Sequence, residues 1–163
     1  MKQRVYIETT IVSYLTGRLS KEVILLAQQK LTREWWKDHR QRYDLYTSQF
    51  VVDEASDGNP EEARKRLDVL KGLMELPGTA EALALAERIV AAGLMPERAG
   101  TDALHLAMVT VNDLDVLLTW NCRHLANADI LLQIGRFLRR NGYEPPLVVT
   151  PYELMGGSAE LRG

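Results

Sequence analysis

The sequence has little cysteine and no long apolar run. Its 163 residues include a single cysteine, Cys122, which cannot form an internal disulfide and has no partner at the spacing of a structural zinc site. No stretch approaches the roughly 18 consecutive apolar residues that span a bilayer, and no charged-then-apolar leader opens the chain. We therefore expect a cytoplasmic protein without disulfides.

The sequence also lacks a charge excess of either sign. Lys and Arg total 20 against 22 Asp and Glu, a formal net charge of -2, which argues against tight DNA binding through bulk charge alone. The 46% hydrophobic and 26% charged residues are typical of one globular domain, and no repeat or low-complexity linker interrupts them. We predict a single domain over 1–155 and a mobile tail over 156–163.

Short β-prone or apolar runs alternate with amphipathic helical segments. The predicted strands cover 4–7, 45–48, 116–118 and 147–149. Ser20 is predicted to cap a helix with Ile24 on its apolar side. Asn59 and Pro60 start another helix, whose apolar stripe is predicted to extend to Met74. This alternation predicts an α/β fold with a parallel sheet covered on both faces.

Polar side chains follow the predicted strands. Glu8 follows the first strand, Glu54 comes soon after the second, and Asn121 follows the third; Asp102 joins them if its helix starts at the same edge. Ligands of parallel sheets bind beyond the carboxyl ends of the strands. Acidic groups that converge there repel one another, and a divalent cation such as Mg²⁺ or Mn²⁺ would offset that repulsion. Such an ion can lower the pKa of a bound water and clamp the oxygens of a phosphodiester.

Four segments of the chain, in order, resemble the four motifs of PIN-domain proteins, and in particular VapC-like toxins of type II toxin-antitoxin pairs. These segments are 5–10, 48–54, 101–107 and 117–121. The resemblance implies a three-layer α/β/α sandwich with a mainly parallel central sheet. It also implies a ribonuclease in which Mg²⁺ or Mn²⁺ activates water against an RNA phosphodiester. Family toxins form homodimers and are silenced by a cognate antitoxin protein.

The resemblance also assigns the site residues. It implies that the catalytic and metal-binding residues are Glu8, Glu54, Asp102 and Asn121. We further expect Thr10, Thr119 and Trp120 to bind the substrate. Glu8 stands where the family usually has Asp, and its extra methylene moves the carboxylate by about 1 Å. Asn121 also replaces an Asp, so it offers a coordinating oxygen without charge. Trp120 is a candidate for stacking on an RNA base.

Other interpretations of these residues stay open. Asp102 fits an acid that complements a helix dipole, and Asn121 fits a helix N-cap. His105, three residues after Asp102, fits a catalytic base, a phosphate contact or a packed helix residue. An alternative function is a nucleic-acid-binding or protein-interaction module with weak or no catalysis, for which the amphipathic segment 20–42 supplies a groove.

Overall fold

The computed structural model describes residues 1–156 as a central five-stranded parallel sheet with helices around it. The strands are β1 (Gln3–Ile7), β2 (Tyr43–Ser48), β3 (Met74–Leu76), β4 (Val116–Leu118) and β5 (Leu147–Val149). Their order in the sheet is β3-β2-β1-β4-β5. The chain starts in the middle of the sheet, builds outward to β3, and then crosses to the other side of β1. The predicted α/β fold is therefore confirmed.

In the described part of the chain, eight α-helices connect and follow the strands. They are α1 (Thr9–Thr16), α2 (Val23–Asp38), α3 (Gln49–Ala55), α4 (Pro60–Leu70), α5 (Ala80–Ala91), α6 (Gly100–Val111), α7 (Ala128–Arg140) and α8 (Pro151–Leu154). Short 3₁₀ turns at Arg40–Arg42 and Glu97–Ala99 precede β2 and α6. Within residues 1–156, no helix is both long and apolar enough to cross a membrane.

The core lies on both faces of the two central strands. Val5, Tyr6 and Ile7 at the end of β1 are fully buried, as is the neighbouring strand β4. Consecutive rather than alternate residues are buried because helices cover both faces of a parallel sheet. The backbone at the ends of β1 and β4 is consequently held by core packing, which gives the residues that follow these strands fixed starting points.

Three local predictions are wrong. Met74 lies in β3 and is 63% exposed, because α4 ends at Leu70 and the chain then adds an edge strand paired only with β2. The α2 cap is Glu22, whose carboxylate accepts the N–H groups of Ile24 and Leu25, rather than Ser20. Ile24 is 67% exposed instead of packing inward. The predicted mobile tail lies, beyond Gly156, outside the described residues.

Candidate metal centre

The candidate site lies where the strand order reverses, between β1 and β4. Glu8 directly follows β1 and occupies the N-cap position of α1, while Thr119 directly follows β4. The two strands are paired in parallel, so their carboxyl ends meet at the same edge of the sheet. Such a switch point is the usual binding crevice of an open parallel sheet.

Glu8 is a buried carboxylate held by two threonine hydroxyls. Its side chain is 3% exposed, and its Oε1 accepts hydrogen bonds of 2.5 Å from both Thr10 Oγ1 and Thr119 Oγ1. Each hydroxyl oxygen in turn accepts a backbone N–H, from Trp120 and Asn121 respectively, at 2.9 Å. These backbone donors orient the hydroxyl hydrogens toward Glu8. Burial raises the pKa of Glu8 above its usual range, although the nearby His105 imidazole and the hydroxyl hydrogen bonds oppose the shift.

Glu54 reaches the same place from α3. The Ser48 hydroxyl caps this helix by accepting the Val51 N–H, and Glu54 lies in the helix's last turn. Glu54 Oε1 accepts a 2.6 Å hydrogen bond from Thr9 Oγ1 and lies 2.5 Å from His105 Nε2. Burial favours a higher pKa for Glu54, but the hydrogen bond and electrostatic attraction of the His105 imidazole, with the Thr9 hydrogen bond, outweigh burial and hold that pKa below its usual range.

His105 is held on its other nitrogen by a buried hydrogen-bond chain. Its Nδ1 lies 2.8 Å from the Tyr6 hydroxyl, which lies 2.6 Å from Ser48 Oγ. All three side chains are fully buried, and burial raises the pKa of the Tyr6 phenol above its usual value. The phenol therefore stays protonated, and the imidazole ring has a fixed orientation with Nε2 facing the two carboxylates.

Glu8, Glu54 and His105 form a compact donor set, that is, a group of atoms able to donate electron pairs to one metal ion. One carboxylate oxygen of Glu8, one of Glu54 and one ring nitrogen of His105 lie within 4.8 Å of one another. Both threonine hydrogen bonds to Glu8 reach Oε1, so Oε2 receives neither of them. A divalent cation would favour the ionised form of this buried carboxylate, which burial otherwise disfavours. The donors therefore fit a divalent cation of the Mg²⁺ or Mn²⁺ type.

Asp102 and Asn121 take part in hydrogen bonds next to this cluster. Asp102 lies in the first turn of α6, three residues before His105, and its Oδ2 lies 3.1 Å from His124 Nδ1. Asn121 Oδ1 accepts the backbone N–H groups of Arg123 and His124, at 3.2 and 3.0 Å, and so caps the turn after β4. Among residues 1–156, neither belongs to the compact donor set. Their predicted roles as metal ligands stay predictions.

Trp120 lies beside the site, but its ring is already engaged. Its indole Nε1 donates a 2.6 Å hydrogen bond to Thr32 Oγ1 on α2. Its ring also stacks on Tyr14, with centroids 6.3 Å apart and planes inclined by 20°. The half-buried indole is thus fixed against α1 and α2, and its predicted role in stacking on RNA stays a prediction.

Sequence reasoning did not assign His105, Tyr6 or Ser48 to the metal centre. His105 had a signal, its spacing of three residues from Asp102, but a buried packing role was equally compatible with that spacing. Tyr6 and Ser48 had none, because a tyrosine within a β-prone run fits ordinary packing and Ser48 fits a helix cap. Only the pairing of β1 with β2 brings these two hydroxyls together.

Comparison with known proteins gives structural likenesses only. No family model matches the sequence, and no curated protein matches it. The structure is similar to VapC20 of Mycobacterium tuberculosis, a sarcin-ricin loop cleaving toxin, with a TM-score of 0.58 and 12% identity over 74% of this chain and 92% of that chain. It is also similar to VapBC2 of Rickettsia felis, solved bound to a DNA fragment from its promoter, with a TM-score of 0.52 and 14% identity over 91% of this chain and 98% of that chain. The chain therefore has the PIN-type fold that these VapC structures share, as its four motif segments indicated.

Proposed function

We propose that this chain is a divalent-metal-dependent endoribonuclease and the toxin of a toxin-antitoxin pair. The observation that carries the proposal is the convergence of Glu8, Glu54 and His105 donors within 4.8 Å at the switch point of the sheet. The likeness in fold to a toxin that cleaves the sarcin-ricin loop supports RNA as the substrate.

Each side chain has a role that its contacts support. Glu8 and Glu54 hold the cation, and Asp102 and Asn121 are the further ligands that the motif segments predict. Thr10 and Thr119 fix the Glu8 carboxylate, a role that their 2.5 Å hydrogen bonds favour over direct contact with substrate. When bound, Mg²⁺ or Mn²⁺ would lower the pKa of a water molecule and balance charge on the phosphate.

The proposed reaction is hydrolysis by in-line attack. A water oxygen forms a bond to phosphorus, and the bond from phosphorus to the ribose 3′ oxygen breaks. The water's proton is released and the 3′ oxygen takes up a proton, so the products carry a 5′-phosphate and a 3′-hydroxyl. The chain's contribution is to hold charged groups in a fixed, largely water-excluded arrangement, which is where electrostatic stabilisation is most effective.

A protein partner is the second part of the proposal. Val23 and Ile24 at the start of α2 are 78% and 67% exposed, and they border a cavity of about 470 Å³ that Leu31, Trp120 and Tyr152 also line. Exposed apolar groups around a groove are typical of protein-interaction sites. We propose that an antitoxin binds there, that the toxin is a homodimer and that it acts in the cytoplasm. The same surface favours the alternative of an interaction module without catalysis.

Cleavage of end-labelled mixed RNAs tests the enzymatic proposal. Purified protein is assayed with Mg²⁺ or Mn²⁺, with EDTA, and as Glu54→Gln and Asp102→Ala variants. Asp129→Ala is the matched control, because Asp129 is an exposed acid in the first turn of α7 and, among residues 1–156, does not belong to the compact donor set. We expect metal-dependent cutting that both site variants reduce at least about 100-fold and the control leaves unchanged. Equal cutting by all preparations would indicate a contaminant, and folded protein that binds RNA without cutting would favour the interaction module.

A further inference from the structure

We infer that His105 Nε2 is itself a metal ligand, which makes this a site of two carboxylates and one imidazole that binds Mn²⁺ in preference to Mg²⁺. The inference rests on the proposed function, since it assumes that a divalent cation occupies the site. It adds to that function a nitrogen ligand that the motif segments do not assign. It also adds a preference for Mn²⁺ over Mg²⁺ that follows from this ligand.

The position of His105 supports this role. Its side chain is fully buried on α6, and Nε2 is the atom that belongs to the compact donor set. Two donors bound side by side on an octahedral ion with bonds near 2.1 Å lie about 3 Å apart. The 2.5 Å separation between His105 Nε2 and Glu54 Oε1 therefore needs to lengthen by only about half an ångström. Glu54 is the partner able to adjust, because its side chain is 36% exposed.

The hydrogen-bond chain behind the ring can run in either direction. In one direction the Tyr6 hydroxyl donates to Nδ1, so the ring proton lies on Nε2 and is donated to Glu54. In the other direction Nδ1–H donates to the Tyr6 oxygen and Tyr6 donates to Ser48 Oγ, which leaves the Nε2 lone pair free for an ion. Metal-binding histidines commonly have their second nitrogen fixed by such an outer partner. Tyr6 and Ser48 are thus positioning residues for the ligand tautomer.

The nitrogen ligand sets the metal preference. Mg²⁺ strongly prefers oxygen donors and retains its waters. Imidazole is a better ligand for first-row transition metals than for Mg²⁺, and Mn²⁺ is the one among them that also suits carboxylate oxygens. With Glu8 and Glu54 as the oxygen donors, His105 favours Mn²⁺. We expect Mn²⁺ to bind roughly tenfold or more tightly than Mg²⁺, and the preference to shrink when the imidazole is replaced.

Electron paramagnetic resonance of bound Mn²⁺ tests the inference without substrate. Full-length protein containing ¹⁴N- or ¹⁵N-labelled histidine is loaded with Mn²⁺ alone, and pulsed spectra are examined for nitrogen coupling to the ion. We expect coupling that changes with the isotope, is lost in His105→Asn and is retained in His124→Asn, the control at the neighbouring histidine. If His105→Asn does not fold, the isotope comparison on the unmodified chain still shows whether a histidine nitrogen binds the ion, and coupling retained in His124→Asn excludes the neighbouring histidine as its source. Tyr6→Phe should weaken Mn²⁺ binding while retaining the coupling.

The outcomes separate the inference from the proposed function. Bound Mn²⁺ without histidine coupling would overturn the nitrogen ligand while leaving an all-oxygen nuclease site intact. Coupling that disappears in His124→Asn but persists in His105→Asn would also overturn the inference. Failure of the chain to bind Mn²⁺ or Mg²⁺ at millimolar concentration would overturn both the inference and the proposed function.

Discussion

At the scale of single residues, two threonine hydroxyl groups hold the Glu8 carboxylate, and a backbone N–H fixes the direction of each hydroxyl hydrogen. Thr119 Oγ1 accepts the Asn121 N–H and donates to Glu8. The backbone therefore fixes the orientation of the hydroxyl, and the hydroxyl fixes the orientation of the carboxylate. A valine at this position has nearly the same shape but neither donates nor accepts a hydrogen bond. The carboxylate would then lose one of its two oriented donors.

We therefore expect Thr119→Val to reduce metal affinity and RNA cleavage and to lower the free energy of unfolding by about 1–3 kcal/mol. Thr110→Val is the matched control, because Thr110 is equally buried but bonds only to the Leu106 carbonyl of its own helix. Calorimetric Mn²⁺ titration and urea unfolding measure the two effects. Equal losses of metal affinity in both variants would contradict the assigned role of Thr119.

Glu8 makes the stability of the metal-free protein depend on pH. Because burial raises its pKa in the folded state, the folded protein binds this proton more tightly than the unfolded chain does. In EDTA, the free energy of unfolding should therefore fall as pH rises above the ordinary glutamate range, and then level off above the raised pKa. Glu8→Gln should remove this dependence and be the more stable form at neutral pH. Parallel pH profiles of the two proteins in urea unfolding would show that Glu8 is not the group responsible.

Sequence reasoning predicted the two carboxylates of the compact donor set but not its ring nitrogen. Glu8 directly follows a strand whose apolar run is clear in the sequence, Glu54 comes six residues after the second strand, and both reach the compact donor set. Whether the side chain of His105 packs in the core or faces the carboxylates depends on how α6 is rotated against the sheet. That rotation is set by tertiary packing, which one helix's residue pattern does not specify.

At the scale of elements, the segment between β4 and α7 contains two asparagines, and comparing them distinguishes a structural role from a metal-binding role. Asn121 accepts two backbone N–H groups in that turn, and Asn127 does the same at the start of α7. Asn121→Ala and Asn127→Ala should each lower the free energy of unfolding by about 1 kcal/mol. If Asn121 is also a ligand, Asn121→Ala alone should weaken Mn²⁺ binding, and Asn121→Asp should strengthen it. Indistinguishable metal affinity in all three variants would restrict Asn121 to capping the turn.

Elements with strong local signals were predictable, and those that depend on a neighbouring strand were not. The helix starts at Asn59, Thr79 and Thr150 combine a capping side chain with a suitable next residue, and all three cap helices in the structure. Strand β3 has no such signal, because its three residues are exposed or half-buried and are held by pairing with β2 alone. Short edge strands of this kind are stabilised by the sheet rather than by their own composition.

At the scale of the whole molecule, the metal should stabilise the fold because the donors come from three distant parts of the chain. Glu8 follows β1, Glu54 lies in the last turn of α3 and His105 lies within α6, so an ion at the site ties together segments that separate on unfolding. Mn²⁺ at 100 times its dissociation constant should add about 2.7 kcal/mol, which corresponds to a rise of roughly 5–10 °C in Tm. Differential scanning calorimetry with Mn²⁺ and with EDTA measures this shift. A comparable rise in the Glu8→Gln, Glu54→Gln double variant would place the stabilising ion elsewhere.

The origin of the oxygen added during cleavage tests hydrolysis at this site most directly. RNA is cut in H₂¹⁸O with Mn²⁺, and the new ends are analysed by mass spectrometry for the intact protein and for Glu54→Gln. Attack by water should place one ¹⁸O in a 5′-phosphate and leave a 3′-hydroxyl. Cleavage should also occur with a 2′-deoxy nucleotide at the cleaved bond, and it should be lost in Glu54→Gln. A 2′,3′-cyclic phosphate, or ¹⁸O incorporation that Glu54→Gln leaves unchanged, would contradict metal-assisted hydrolysis by the Glu8, Glu54 and His105 cluster.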